Sequence, residues 1–175
     1  MSEKYIVEYC SPTLAGIKTG NLFSVKTDKG EDINRELRAL NKILTGRGLR
    51  AIPVKYTGKY ILIYIYRPAF LTRDLQRPDA RRILEKKGYS CKDADFCLMQ
   101  LIRRLKEDDN FPHEIGLFLG YPPSDVAAFM EDAGKGVKYV GCWKAYGNEH
   151  EAKKISHRYK KCTEIYQREL KKGRS

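Results

Sequence analysis

Cys10, His113 and Glu114 are the residues whose types best suit covalent chemistry. A thiol at the start of a helix, next to a histidine oriented by a carboxylate or amide, is the arrangement needed for acyl transfer or thiol chemistry. In this reading Cys10 is the nucleophile, following a strand and preceding Ser11-Pro12-Thr13 as a helix start. His113 is the base, and Glu114 or Asn21 orients it. The opposing reading is that Cys10 is an inert core thiol, since free cysteine is among the most buried residue types. The same N-terminal loop offers a second chemistry. Thr13, Lys18 and Thr19, with the N–H groups after Cys10, carry the donors of a small-anion site, although a turn whose polar residues satisfy its own backbone is the stronger reading. The loop lacks the upstream glycine and the Gly-Lys-Thr run of a nucleotide-binding P-loop, so nucleotide hydrolysis is not expected.

A third set of residues is electrostatic. The chain carries a formal net charge of +12 over 175 residues, and Lys153 to Ser175 holds nine Lys or Arg against two Glu. Lys153, Lys154, Lys160 and Lys161 can meet nucleic acid or an acidic protein partner through a basic helix at about 149–172. A solvated helix face is the plainer reading of the same charges. The stretch around Glu114, Leu119, Gly120 and Val126 has the spacing of a helix-turn-helix. Its second helix, however, offers Asp125, Glu131 and Asp132 and no basic side chain for base edges or phosphates, so buried helix packing is the stronger reading. The five cysteines, at 10, 91, 97, 142 and 162, form no CxxC pair, and His150 and His157 lie two helical turns apart. A disulfide framework and a structural metal are therefore not expected, and no cofactor is indicated. Trp143 and Tyr146 are candidates to line a pocket.

The elements that position these residues follow from period and punctuation. Lys4 to Tyr9 alternates weakly and predicts a short strand ending at Cys10-Ser11-Pro12. Leu22 to Lys26 predicts another. Asp32 caps a helix bearing Ile33, Leu37, Leu40 and Leu44 at helical spacing. Arg50 to Tyr56 and Lys59 to Tyr66, flanking Thr57-Gly58, predict a β-hairpin, and the apolar run Ile61 to Ile65 predicts a central strand covered on both faces. Helices are predicted from Pro68, from Pro78 to Gly88 and over Asp93 to Lys106. Two short helices follow over Phe111 to Asp132, with Gly120 at the turn, Ser124 as the second cap and Gly134 at the end. Lys138 to Tyr146 predicts a last strand. The final helix starts at Asn148 or Glu149 with Ala152, Ile155, Tyr159, Cys162, Tyr166 and Leu170 on one seam. These elements describe one α+β domain over 1–175, a small, mostly antiparallel sheet packed by helices. No run of about 18 apolar residues is present for a membrane span and no signal pattern opens the chain, so a cytoplasmic protein with reduced cysteines is expected.

The stretch His113-Glu114-Ile115-Gly116-Leu117-Phe118-Leu119-Gly120-Tyr121-Pro122, together with Cys10-Ser11-Pro12-Thr13-Leu14-Ala15-Gly16, resembles a family of uncharacterised proteins from anaerobic Firmicutes, the Clostridia among them. Tyr66-Arg67-Pro68, Trp143 to Gly147 and Tyr159 to Cys162 extend the resemblance along nearly the whole chain. The resemblance implies an organism type and a cytoplasmic setting, and it assigns no reaction.

Overall fold

The computed structural model describes residues 1–27, 32–132 and 135–173. The expected helix end at Gly134 lies outside them. A three-stranded antiparallel sheet in the order β1-β3-β2 organises the chain: β1 (Gly20–Lys26), β2 (Arg50–Tyr56) and β3 (Tyr60–Tyr66). β2 and β3 are the expected hairpin. Thr57 closes its turn by donating its backbone N–H to the Tyr60 carbonyl at 2.8 Å. Pro53, which cannot donate to a ladder, sits in the edge strand β2, where the register slips between Pro53 and Lys55. β3 is central and covered on both sides. Ile61, Ile63 and Ile65 point to one face and Tyr64 and Tyr66 to the other, as the two-residue period of a strand requires.

Helices cover both faces. α1 (Glu3–Leu14) and α2 (Ile33–Leu44) pack on the isoleucine face. α3 (Pro68–Leu75), α4 (Pro78–Lys86), α5 (Ala94–Glu107), α6 (Ile115–Phe118) and α7 (Pro123–Asp132) build the second core on the tyrosine face. β4 (Tyr139–Val140) and β5 (Lys144–Ala145) form a separate small hairpin, and α8 (Glu149–Lys171) runs along α1. Asp32, Asp93 and Asn148 cap α2, α5 and α8 by accepting the backbone N–H of Arg35, Phe96 and Glu151. Among the described residues, no helix is long and apolar enough to cross a membrane.

Three expectations are corrected. Lys4 to Tyr9 is helix rather than strand, because Ile6, Val7 and Cys10 fall on one helical face and bury against the sheet, so tertiary packing overrides the weak alternation. Lys138 to Tyr146 is two strands of two residues each rather than one long strand. The chain reverses at Gly141-Cys142, where the Cys142 N–H donates to Ser156 Oγ of α8 at 3.3 Å and a Cβ on Gly141 would lie 2.3 Å from that same oxygen. Ser124 lies inside α7 rather than capping it. Pro123 opens the helix, and the Pro122 carbonyl accepts the Val126 N–H at 3.1 Å.

Candidate functional site

The two stretches singled out in the sequence do meet in the fold, through residues other than Cys10 and His113. Gly20 lies so close to the tyrosine-face core that a Cβ there would sit 2.5 Å from the Tyr64 ring and 3.0 Å from the Phe118 carbonyl oxygen. Tyr64 donates its hydroxyl to that same carbonyl. Gly120, at φ +83°, ends α6 in the left-handed conformation, and a Cβ there would lie 2.8 Å from Thr19 Oγ1. The next residue, Tyr121, lies under the Lys18 ammonium, 5.1 Å from Nζ to the ring centroid. Lys18 with Tyr121, and Thr19 with Gly120, are thus where the two stretches touch.

The expected place of Cys10 at a helix start is corrected. Cys10 lies inside α1, is fully buried, and packs with Phe23, Ile33, Ile63 and Ile65 on the isoleucine face. Burial pushes its thiol up to about 12, away from the thiolate that chemistry would need, and Lys18 offsets this only in part. Glu114 belongs to the opposite face. Its Oε1 accepts the Tyr89 hydroxyl at 3.0 Å and faces Arg104 Nη1 at 3.4 Å, while the Arg104 guanidinium stacks 4.1 Å over Tyr89. This network ties α6 to α5, and burial together with the Glu114 charge drives the Tyr89 phenol well up. His113 is exposed, and its ring meets Phe129 edge-on at 4.8 Å. Cys10 is packed in the isoleucine-face core, whereas His113 lines a cavity with Phe111, Phe129 and Trp143.

The loop read as an anion site satisfies most of itself. Thr13 Oγ1 bonds Asn21 Oδ1 at 2.6 Å, and Thr19 Oγ1 bonds Asp74 Oδ2. Arg67 then pins the end of α1, its Nε donating to the Thr13 carbonyl at 2.8 Å and its Nη2 to the Leu14 carbonyl at 2.7 Å. Lys18 is the exception. Its Nζ donates to the Gly20 carbonyl at 2.8 Å, and the residue is 6% exposed. Burial lowers its ammonium to about 8, with Cys142 and Cys10 acting in the opposite direction. Lys153, Lys154, Lys160 and Lys161 are all exposed on α8.

A cavity of about 360 Å³ opens between the α6–α7 turn and the β4–β5 hairpin, walled by Phe111, Tyr121, Phe129 and Trp143, with His113 and Lys144 among its lining residues. Tyr121 and Trp143 stack at 5.5 Å, and Lys144 Nζ stands 5.3 Å from the Phe129 ring centroid. Asp125 holds this wall together. Buried on α7, it accepts the Trp143 indole N–H at 2.8 Å on Oδ2, and the backbone N–H groups of Tyr146 and Gly147 at 2.9 and 3.2 Å on Oδ1. Sequence reasoning had weighed Asp125 only as an acid unsuited to DNA. The available signal was an acid set directly before the apolar run Val126 to Met130, together with the chain's one tryptophan. Among the described residues, no group of three His, Cys, Asp or Glu side chains gathers closely enough to hold a metal ion.

The fold and its cavities define a mixed helix–strand protein, built on a three-stranded antiparallel sheet with helices on both faces. The chain belongs to the family described as protein of unknown function (DUF3793), whose model matches residues 6–175. No curated protein and no solved structure matches it.

Proposed function

We propose that this protein binds a small planar organic anion in the cavity between α6, α7 and the β4–β5 hairpin. The observation that carries the reading is the lining itself: four aromatic rings around about 360 Å³, with the Lys144 ammonium at Phe129. Aromatic walls favour a flat apolar body by stacking and burial, and a cation among them selects a negatively charged substituent. Asp125 supports the reading because its acceptor capacity is spent on Trp143, Tyr146 and Gly147, which fixes the wall before any ligand arrives. This reading of small-molecule binding requires no thiol chemistry at Cys10 and His113. The nucleic-acid or acidic-protein reading rests on the exposed charges of Lys153, Lys154, Lys160 and Lys161 on α8 alone.

The test is a titration with 8-anilinonaphthalene-1-sulfonate, a flat aromatic anion, followed by the fluorescence of Trp143. As the chain's one tryptophan, Trp143 reports on this wall alone. Saturable one-to-one quenching is expected, lost in Phe129→Ala and weakened about tenfold in Lys144→Ala, the loss of one charge-assisted contact. Binding that is unchanged in Phe129→Ala, or an absence of quenching at millimolar probe, would overturn the proposal.

A further inference from the structure

We propose that Lys18 is a carbonyl-condensing amine, its Nζ forming a reversible imine with a small aldehyde or ketone that carries an anionic group, in a second cavity beside Tyr121. This inference does not rest on the aromatic cavity, although Tyr121 lines both. The second cavity, of about 430 Å³, is lined by Lys18 together with Asn21, Tyr121, Cys142, Tyr159 and Lys160.

A buried lysine normally faces a carboxylate. Among the described residues none forms an ion pair with Lys18, whose Nζ has the Gly20 carbonyl at 2.8 Å and the face of Tyr121 at 5.1 Å. One carbonyl and one aromatic face hold an ammonium in place without neutralising it, and an amine so placed gives up its proton readily. Burial accordingly brings its titration to about 8, so near that pH about half of Lys18 is the free nucleophile. The carbonyl of Gly20 also fixes the direction of the nitrogen, leaving its remaining valences toward the ring and the cavity.

The other groups facing this space fit the same reaction. Tyr159 of α8 and Tyr121 are both pushed up to about 12 by burial, so their phenols stay protonated where Lys18 is already free. The Tyr121 hydroxyl is engaged with the Cys142 carbonyl at 3.1 Å, which leaves Tyr159 to donate to the carbonyl oxygen of the substrate. Glu8 of α1 and Glu164 of α8 lie on the lining and can relay protons to solvent. Cys10 lies behind the lysine and Cys142 beside it, both acting on its charge. In the step itself, the Lys18 nitrogen pair attacks the carbonyl carbon and an N–C bond forms while the carbonyl π bond breaks onto oxygen. The oxygen then leaves as water, taking with it the two hydrogens that nitrogen gives up, and a C=N bond remains. Neither oxidant nor reductant is needed. Lys160 projects from α8 at the open side of the cavity and supplies the cation for a carboxylate on the substrate.

The experiment uses the full chain with glyoxylate as probe and cyanoborohydride to trap the imine at pH 8, with sites and rates read by peptide mass spectrometry. Lys18 is expected to be trapped at least about tenfold faster than exposed Lys153 and Lys154 of the same chain, a factor set by its larger free-amine fraction. Its rate is expected to rise with a midpoint near pH 8. Lys160→Ala is expected to slow trapping of Lys18 by glyoxylate severalfold while leaving trapping by uncharged acetaldehyde unchanged. The comparison of Lys18 with Lys153 within one wild-type chain does not depend on any variant folding. Trapping of Lys18 no faster than of Lys153, or a midpoint at the value of an ordinary lysine, would overturn the proposal. An equal effect of Lys160→Ala on both probes would overturn the assignment of an anionic substrate.

Discussion

Tyr121 lines one cavity with Phe111, Phe129 and Trp143 and a second with Lys18, whose ammonium approaches to 5.1 Å of its ring centroid. The two cavities share this wall, yet their effects on the fold have opposite sign. The aromatic side gains stability from buried apolar area, and its one buried charge, Asp125, meets three donors. The polar side holds a desolvated amine with one carbonyl and no ion pair among the described residues, an arrangement that stabilises nothing by itself. The comparison teaches that the second cavity is maintained at a cost which the first does not carry, and that cost is measurable.

The largest effect is expected for Asp125→Ala. It leaves the Trp143 indole N–H and the backbone N–H groups of Tyr146 and Gly147 without their acceptor, and a loss of about 3 kcal/mol in urea unfolding is expected. Trp143 emission should shift to the red as the aromatic wall loosens, while borohydride trapping of Lys18 persists. Loss of both together would mean that the two cavities are one structural unit.

Lys18→Met is expected to act the other way. In the unfolded chain the lysine keeps its proton up to about 10.5, whereas in the fold it releases it near 8. Between those values folding expels a proton, so stability rises with pH, and below about 8 the desolvation cost is present in full. The variant should therefore exceed wild type by about 3 kcal/mol at pH 7, with the difference fading between pH 8 and 10.5. Unfolding curves of the two proteins across that range check it. A variant less stable than wild type at pH 7 would show that the Gly20 bond and the Tyr121 contact outweigh desolvation.

The smallest effect belongs to the shared wall. Tyr121→Phe keeps the ring that lines both cavities and removes only the hydroxyl donated to the Cys142 carbonyl at 3.1 Å. A change of about 1 kcal/mol or less is expected, because that bond is partly exposed to water. Naphthalene-sulfonate quenching of Trp143 should be unchanged. A loss of quenching in this variant would show that the hydroxyl, rather than the ring, orients the wall.

Local signals in the chain were legible wherever burial and period agreed. The Thr57-Gly58 hairpin, the doubly covered strand Ile61 to Ile65, the helix capped at Asp32 and the helix over Asp93 to Lys106 were readable because each is specified by residues within a few positions of one another. The first element was misread because Ile6, Val7 and Cys10 suit a buried strand and a buried helix equally, and only the sheet packed beneath them selects the helix. The strand over Lys138 to Tyr146 was misread because its reversal depends on Ser156, which lies 14 residues beyond Cys142.

The candidate site divides in the same way. The sequence by itself determined that the segments around residues 10–20 and 113–126 were dense in turn residues and chemistry-bearing side chains, and that Lys18 and Trp143 belonged among the candidates. Tertiary structure alone decided which of them meet. Cys10 is fixed on the isoleucine face and Glu114 on the tyrosine face of a sheet that neither side chain crosses, while Lys18 reaches Tyr121 where Thr19 packs against Gly120. Sequence spacing sets which face of its own element a side chain occupies. Desolvation and proximity depend on elements folded against it from far along the chain, and these raise the Cys10 thiol and lower the Lys18 ammonium.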